Sequence, residues 1–348
     1  GRVRPMDTHD WPALLSTVMR GNDLTRVEAA DAMTEIMAGS ASDSQIAGLL
    51  IGLATKGESS SEMAGFVDAM MGAAVRAPIE DAVDIVGTGG DGYSTFNIST
   101  TASFIAAGAG VRVAKHGNRA ASSKTGSADL LEAFGFTLDL GPDDVASMVD
   151  AANFGFFFAP RYHPAMRHVV PVRRSLGVRT VFNFLGPLCN PAGARMSIGV
   201  SDARMAHLMI EVLAAREVDR AFVFYGEEGL DELSTAGPSR IFRLVDGEVT
   251  EAEFTPEDFG IARSPVASLV GGGPDENMAI TRSVLDGDPG PRRDAAIINA
   301  APAIVLAGKA SGFVEAVQVA VDAVDSGAAR TACEASLALS RELGERST

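Results

Sequence analysis

Apolar residues follow two rhythms along this chain, and the change comes near Pro78. Before it they recur at helical spacing, as in Ile46, Leu49, Leu50 and Leu53, which share one stripe of a helix. Border signals accompany the stripes. Thr25 stands three residues ahead of Glu28, Ser42 ahead of Gln45 and Ser59 ahead of Glu62, each spaced as a capping box, while Gly21, Gly39 and Gly57 stand where helices should stop. The pattern predicts helices at residues 11–20, 26–38, 43–56 and 60–74, enough for a small bundle. After Pro78, short apolar runs alternate with small-residue helical stretches. Strands are predicted at residues 83–86, 111–114, 156–158, 196–200 and 221–225, and helices at 98–109, 127–134, 143–152, 205–215, from 276 onward and from 293 to the end. Such alternation predicts a mainly parallel sheet flanked by helices. Between residues 164 and 190, prolines at helix starts and glycines at helix ends predict short helices, which we assign back to the N-terminal bundle. The expected fold class is α/β, with a small N-terminal α-helical domain (residues 1–76 and about 164–190) and a larger α/β domain (77–163 and 191–348). Residues 1–5 read as a tail.

Composition narrows the function. A chain of 348 residues exceeds one ordinary core, in keeping with two domains. No apolar run reaches membrane-spanning length and no N-terminal segment reads as a signal peptide, so a cytoplasmic location and no membrane partner are expected. Cys189 and Cys333 form neither a metal-ligand spacing nor a disulfide framework. The net charge of −16 argues against a nucleic-acid partner. It also means that any phosphate ligand must be met by locally concentrated cations or a bound metal.

The candidate chemistry centres on residues 84–100, D-I-V-G-T-G-G-D-G-Y-S-T-F-N-I-S-T. An apolar run enters a loop holding Gly87, Gly89, Gly90 and Gly92 and leaves it through Asn97, Ile98, Ser99 and Thr100 into a helix. Strand, glycine loop and helix start suit a bound phosphate, because backbone N–H groups can approach an anion closely there. Gly87, Gly89 and Gly92 also satisfy the dinucleotide fingerprint, but the next strand runs into Lys115 where that fingerprint wants an acid, and Asp91 would repel a bare pyrophosphate. An acid in the loop makes better sense beside a divalent metal or a sugar hydroxyl. A second loop, residues 115–127, carries Lys115, Arg119 and Lys124 with His116, Asn118 and several serines, supplying the local positive charge that the whole chain lacks. Asp231 and Glu232 follow a predicted strand and are candidates for a hard cation such as Mg²⁺. His163, followed by Arg167, Arg173 and Arg174, forms a cationic stretch in which guanidinium groups could grip a planar carboxylate.

Together these stretches resemble the anthranilate phosphoribosyltransferase family. The likeness runs in order through residues 86–91, 97–100, 115–126, 163–166, 171–173, 179–183, 186–188 and 229–232. The resemblance implies a helical domain plus an α/β domain similar to the pyrimidine nucleoside phosphorylase fold, a homodimer formed through the helical domain, and transfer of 5-phosphoribosyl from phosphoribosyl pyrophosphate to the anthranilate amine. It further implies a phosphoribosyl pyrophosphate site of Gly87, Gly90, Asp91, Thr95, Asn97, Ile98, Ser99, Thr100, Lys115, His116, Gly117, Asn118, Arg119, Ala120, Ala121, Ser122, Ser123 and Ser127. Gly87, Asn118, His163 and Arg173 are the implied anthranilate contacts, and Ser99, Asp231 and Glu232 the implied Mg²⁺ ligands. One departure is Tyr225-Gly226, where many members have His-Gly. An aryl amine is uncharged near neutral pH and can attack without strong base help, so no dedicated base is expected; His116 is the only candidate. The rival readings are a nucleoside phosphorylase of the same fold and a paralogue with another acceptor or a nucleic-acid-binding role. The acidic pair and the glycine run speak against the first, and the net charge against nucleic acid.

Overall fold

The computed structural model describes residues 10–120 and 123–346, which divide into two compact units, one of residues up to 74 with 163–189 and one of residues 75–162 with those from 190 on. The tail expected at residues 1–5 and the loop residues Ala121 and Ser122 lie outside the described residues.

The helical unit is built on α1 (Trp11–Met19), α2 (Arg26–Ala38), α3 (Asp43–Lys56) and α4 (Ser60–Gly72). All three capping boxes form as their spacing predicts. Glu62 does more than cap α4. Its buried carboxylate also accepts the Leu24 N–H at 2.9 Å and pairs with Lys56 Nζ at 2.9 Å, tying the α2 entry to the end of α3. Helices α2 and α4 cross where Gly65 leaves no room for a side chain: a Cβ there would collide with the Arg26 carbonyl oxygen. The Trp11 indole N–H donates to Glu35 at 2.7 Å and joins α1 to α2. The return segment forms the short helical turns Pro164–His168, Val170–Leu176, Phe182–Leu185 and Gly186–Leu188, which pack on α2, α3 and α4.

The α/β unit is a seven-stranded sheet in the order β3-β2-β1-β4-β5-β6-β7. Strands β1 (Val83–Gly87), β2 (Val113–Gly117), β3 (Phe154–Phe158), β4 (Arg195–Gly199) and β5 (Arg220–Gly226) are parallel, and β6 (Ser239–Val245) and β7 (Glu248–Phe254) add an antiparallel hairpin. Asp246 and Gly247 turn that hairpin with φ of 48° and 85°, the left-handed conformations of a two-residue type I′ turn. The sequence reading stops at β5 and misses both strands. Strand β7 is exposed along nearly its whole length and has no apolar run to mark it. Arg240 anchors it by pairing with Glu251 and Glu253, each at 3.1 Å. Strand β2 also differs, reaching Gly117 instead of ending at Ala114. Its pairing with β3 continues through Lys115↔Phe156, His116↔Phe157 and Gly117↔Phe158, so backbone bonding carries the strand past its apolar run.

Helix α5 (Ile98–Gly108) and the long helix Pro291–Leu306 are buried along most of their length, which explains the excess of alanine and small residues in both. Phe104 of α5 meets Phe154 with ring centroids 4.7 Å apart and fastens the helix to β3. Strand β1 has β2 on one side and β4 on the other, so chain order reverses beside it. In open α/β sheets that reversal makes a crevice at the carboxyl ends of the strands.

Candidate active site

The loops that leave β1 and β5 meet at that carboxyl edge. Gly89, Gly90 and Gly92 all take positive φ (67°, 79° and 80°), a backbone path that side-chain-bearing residues rarely follow. The path aims the Gly89 N–H at Asp231 Oδ2, 2.7 Å away. Two further glycines let the acidic loop lie flush on the sheet. A Cβ on Gly87 would collide with Asp231 Oδ2, and one on Gly199 with the Asp231 carbonyl oxygen.

Asp231 and Glu232 are both buried, and Asp91 of the glycine loop faces them. Burial raises the pKa of Asp231, and the charge of Asp91 raises it further. Glu232 is held well above the ordinary carboxylate range by burial and by Asp231, against the pull of Lys115 and of the Ser99 N–H. Asp91 Oδ2 is buried with no hydrogen-bond partner among the described residues. Crowded carboxylates with an orphaned oxygen fit a hard divalent cation, which removes the repulsion that burial amplifies. Among the described residues no three His, Cys, Asp or Glu side chains are spaced to enclose a metal. Mg²⁺ takes one or two carboxylates and completes its shell with water and substrate phosphate oxygens. Ser99, the remaining implied ligand, opens α5 beside this group, and its hydroxyl lies 3.4 Å from Lys115 Nζ.

Lys115 is 1% exposed and points under the glycine loop, where its ammonium donates to the Ile85 carbonyl. Burial lowers its pKa, and the charges of Asp84 and Glu232 oppose that fall. Asp84, which sequence reasoning passed over, supports this group from beneath. Its buried carboxylate accepts the His116 N–H at 3.1 Å and the Asn190 amide at 2.8 Å, and Asn190 also donates to the Ala114 carbonyl at 2.8 Å. An acid inside the apolar strand V-D-I-V was the available signal, since buried charges need partners.

The cationic loop is rearranged relative to expectation. Lys115 and His116 belong to β2, and Arg119 turns to Glu132 at 2.6 Å and Asp129 at 3.3 Å. Lys124 is exposed, so the loop does not present three converging cations. The Ala120 N–H donates to Asp129 at 2.8 Å, and Ser127 Oγ packs against Gly117 and donates to the Asn118 carbonyl at 3.4 Å. Asn118 accepts the Arg119 N–H at 2.8 Å, and Ser123 is exposed. Ile98 is a core residue, the Thr100 hydroxyl is buried without a hydrogen-bond partner among the described residues, and Thr95 bridges to Val270 through its backbone. Gly87, Asp91, Ser99, Lys115, Asp231 and Glu232 are therefore brought together around one point. Arg119, Ile98 and Thr95 serve the scaffold around it. Asn299, also missed, sits buried on Pro291–Leu306 and clamps the backbone after the acidic pair, accepting the Leu233 N–H at 2.8 Å and donating to the Leu233 carbonyl at 3.1 Å.

In the helical unit, His163 is buried with Nε2 2.9 Å from the Cys189 carbonyl, and burial lowers its pKa. Arg173 lies on Val170–Leu176 with its guanidinium 5.5 Å from the centre of the Phe182 ring, and burial lowers its pKa as well.

This helical bundle and phosphate-type sheet edge match known proteins along nearly the whole chain. Residues 79–330 match the family described as "Glycosyl transferase family, a/b domain", and residues 12–74 match its "helical bundle domain". The anthranilate phosphoribosyltransferase of Salinispora arenicola is 50% identical over 335 residues, covering 93% of this chain and 95% of the relative. The crystal structure of anthranilate phosphoribosyltransferase from Thermus thermophilus superposes with a TM-score of 0.88 at 44% identity, over 94% of this chain and 99% of the other. The Saccharomyces cerevisiae enzyme in complex with PRPP and Mg gives 0.87 at 26% identity, over 95% and 98%. Within the glycosyl transferase family, the chain belongs to the anthranilate phosphoribosyltransferases.

Proposed function

We propose that this chain transfers the 5-phosphoribosyl group of phosphoribosyl pyrophosphate to the amine of anthranilate, releasing pyrophosphate, as a step of tryptophan biosynthesis. The observation that carries this reading is the joining of two loops by the acidic pair. Asp231 accepts the N–H of Gly89 at 2.7 Å, and Glu232 lies buried beside it, close enough to Lys115 to feel its charge. A site so built offers anion-binding backbone and cation-binding carboxylates at one sheet edge, as a metal-bound diphosphate substrate requires.

In the reaction the bond from the ribose anomeric carbon to pyrophosphate breaks, the bond to the anthranilate nitrogen forms, and the amine proton leaves to solvent or a nearby acceptor. Asp231, Glu232 and Ser99 would hold Mg²⁺, with Asp91 beside them. Bound there, the ion supplies neutralisation of the pyrophosphate charge. Lys115 adds positive charge beneath the glycine loop, held in place by Ile85 and Asp84. Gly87, Gly90, Asn97, Thr100 and the described part of the second loop (Lys115 to Ala120, Ser123 and Ser127) shape the phosphoribosyl pyrophosphate site around these groups. Positioning and electrostatics supply most of the rate, because the leaving group is good once neutralised. For the acceptor, Arg173 pairs with the anthranilate carboxylate, Asn118 and Gly87 contact the acceptor, and His163 neighbours it. The chain forms a homodimer through its helical unit, where Met19, Val27 and Ile51 are 83%, 68% and 41% exposed. It works in the cytoplasm; no described helix is long and apolar enough to cross a membrane.

The test follows anthranilate fluorescence with phosphoribosyl pyrophosphate and Mg²⁺, and again with Mg²⁺ chelated. Loss of signal that needs both is the expected result. Folded protein that consumes no anthranilate under any of these conditions would overturn the reading.

A further inference from the structure

A segment remote in sequence from both ligand loops holds them together. Residues 269–272 run alongside residues 94–96: the Phe96 N–H donates to the Leu269 carbonyl at 2.9 Å, the Gly271 N–H donates to the Ser94 carbonyl at 3.0 Å, and Thr95 bridges to Val270. The helix Pro274–Leu285 follows, and its first turn carries Asn277, which is 2% exposed. Asn277 Oδ1 accepts the Gly272 N–H at 2.8 Å and Nδ2 donates to Asn97 Oδ1 at 2.9 Å. Asn97 passes the contact on, donating from Nδ2 to the Thr125 carbonyl at 3.0 Å, and the Thr125 hydroxyl closes the ring by donating to the Gly272 carbonyl at 2.8 Å. A Cβ on Gly271 would collide with Asn277 Oδ1, so the close fit leaves no room for another residue there.

We infer that Asn277 is a positioning residue for phosphoribosyl pyrophosphate, acting through Asn97 to set the glycine loop and the second loop at a fixed distance from each other. The inference rests on the function proposed above. Asn97 stands at the N-cap position of α5 yet makes no side-chain capping bond. Its amide is committed sideways, to Thr125 and Asn277, which ties the end of the first loop to the end of the second. Fixing both loops before substrate arrives lowers the ordering entropy of binding, so the benefit belongs to KM for the diphosphate substrate. The amide is needed as such, because one side chain must accept from Gly272 and donate to Asn97 at once.

The experiment compares the wild-type chain with Asn277→Ala, Asn277→Asp and Thr281→Val in steady-state assays varying each substrate, with thermal unfolding alongside. Thr281 lies on the same helix, is fully buried, and its hydroxyl meets Thr101 Oγ1 at 2.9 Å, so Thr281→Val reports loss of a buried hydrogen bond while Thr101 keeps its own bond to the Asn97 carbonyl at 3.0 Å and every side-chain bond of the loop ring remains. Asn277→Asp keeps the acceptor for Gly272 and loses the donor to Asn97, which gives a variant that tests the link if the alanine variant does not fold. Both Asn277 variants are expected to raise KM for phosphoribosyl pyrophosphate about tenfold, the value of one well-made buried hydrogen bond, with KM for anthranilate changed less than about threefold. Thr281→Val is expected to lower the melting temperature and leave both KM values unchanged. If folded Asn277 variants match Thr281→Val in both KM values, Asn277 is structural only and the inference fails. A wild-type chain without activity would instead sink the proposed function, and the two failures are told apart by the wild-type assay alone.

Discussion

Asp231 carries its carboxylate beneath the glycine loop, with one oxygen on the Gly89 N–H and a second acid, Asp91, facing it. Asp231→Asn removes a charge from the cation-binding group, and the Mg²⁺ concentration for half-maximal activity is expected to rise about 10- to 100-fold. A Mg²⁺ titration of initial rates measures this, and an unchanged midpoint would take Asp231 out of the metal site. Arg173 predicts a different signature. If Arg173 pairs with the acceptor carboxylate as proposed, Arg173→Ala deletes a charge-assisted contact, so KM for anthranilate should rise about tenfold or more while kcat changes little. A fall in kcat at constant KM would contradict that role. His116→Asn should lose only a little of kcat, since the arylamine needs no strong base. At this scale the glycines, Ser99 and the acidic pair were legible because their chemistry depends on residue type and short spacing. What Arg119 and Asn97 bond to was not legible, because it is set by Glu132, Thr125 and Asn277, whose proximity no local pattern reveals.

Helices α2 and α4 illustrate how elements depend on single atoms. Gly65→Ala sets a methyl against the Arg26 carbonyl and the Ala29 side chain, and the helices must part or bend. Overpacking of this kind costs about 1–3 kcal/mol, readable as a lower urea midpoint at unchanged slope. Gly72 at the end of α4 has nothing within 4 Å of an added Cβ, so Gly72→Ala should be neutral or mildly stabilising. Equal losses at the two positions would disprove the close crossing. The four bundle helices were readable to within a residue or two, since a capping box is complete within four residues of chain, whereas the stretch read as helical from 293 to the end divides into Pro291–Leu306, Phe313–Asp325 and Ala328–Arg346. Strands were less so. The last two escaped notice although Asp246-Gly247 between them is a strong hairpin signal, because the outer strand E-V-T-E-A-E-F presents polar residues to solvent on an edge.

Across the whole molecule, the net charge of −16 coexists with a site built for phosphates. The proposed site meets this by burying Lys115 among acids and gathering carboxylates that could hold a cation, instead of displaying a basic surface. Asp84 gives this arrangement a measurable pH dependence. Burial pushes its pKa from 3.8 up to about 6, against the charge of Lys115. Between those values the folded chain keeps a proton that the unfolded chain has released, so this group's contribution to stability is lost as pH rises through the window from about 4 to 6. Asp84→Asn abolishes that slope. Unfolding free energies of both proteins at intervals from about pH 4.5 to 7 should therefore show wild type losing stability relative to the variant as pH rises. Parallel curves would mean that Asp84 is ionised throughout.

Periodicity, caps and glycine placement established the two-part architecture, the α/β class and the presence of a phosphate-type loop, because each is completed by hydrogen bonds or sterics among residues a few positions apart. The pairings that make the loop a site join Gly89 to Asp231, Asp84 to Asn190 and Asn97 to Asn277. Partners so far apart in the chain meet only once the strand order β2-β1-β4-β5 has placed four carboxyl ends side by side and helices have closed over them. Burial there then sets which charges are paired and which protons are held, since the free energy of a buried charge depends on neighbours within a few ångströms, whatever their place in the chain.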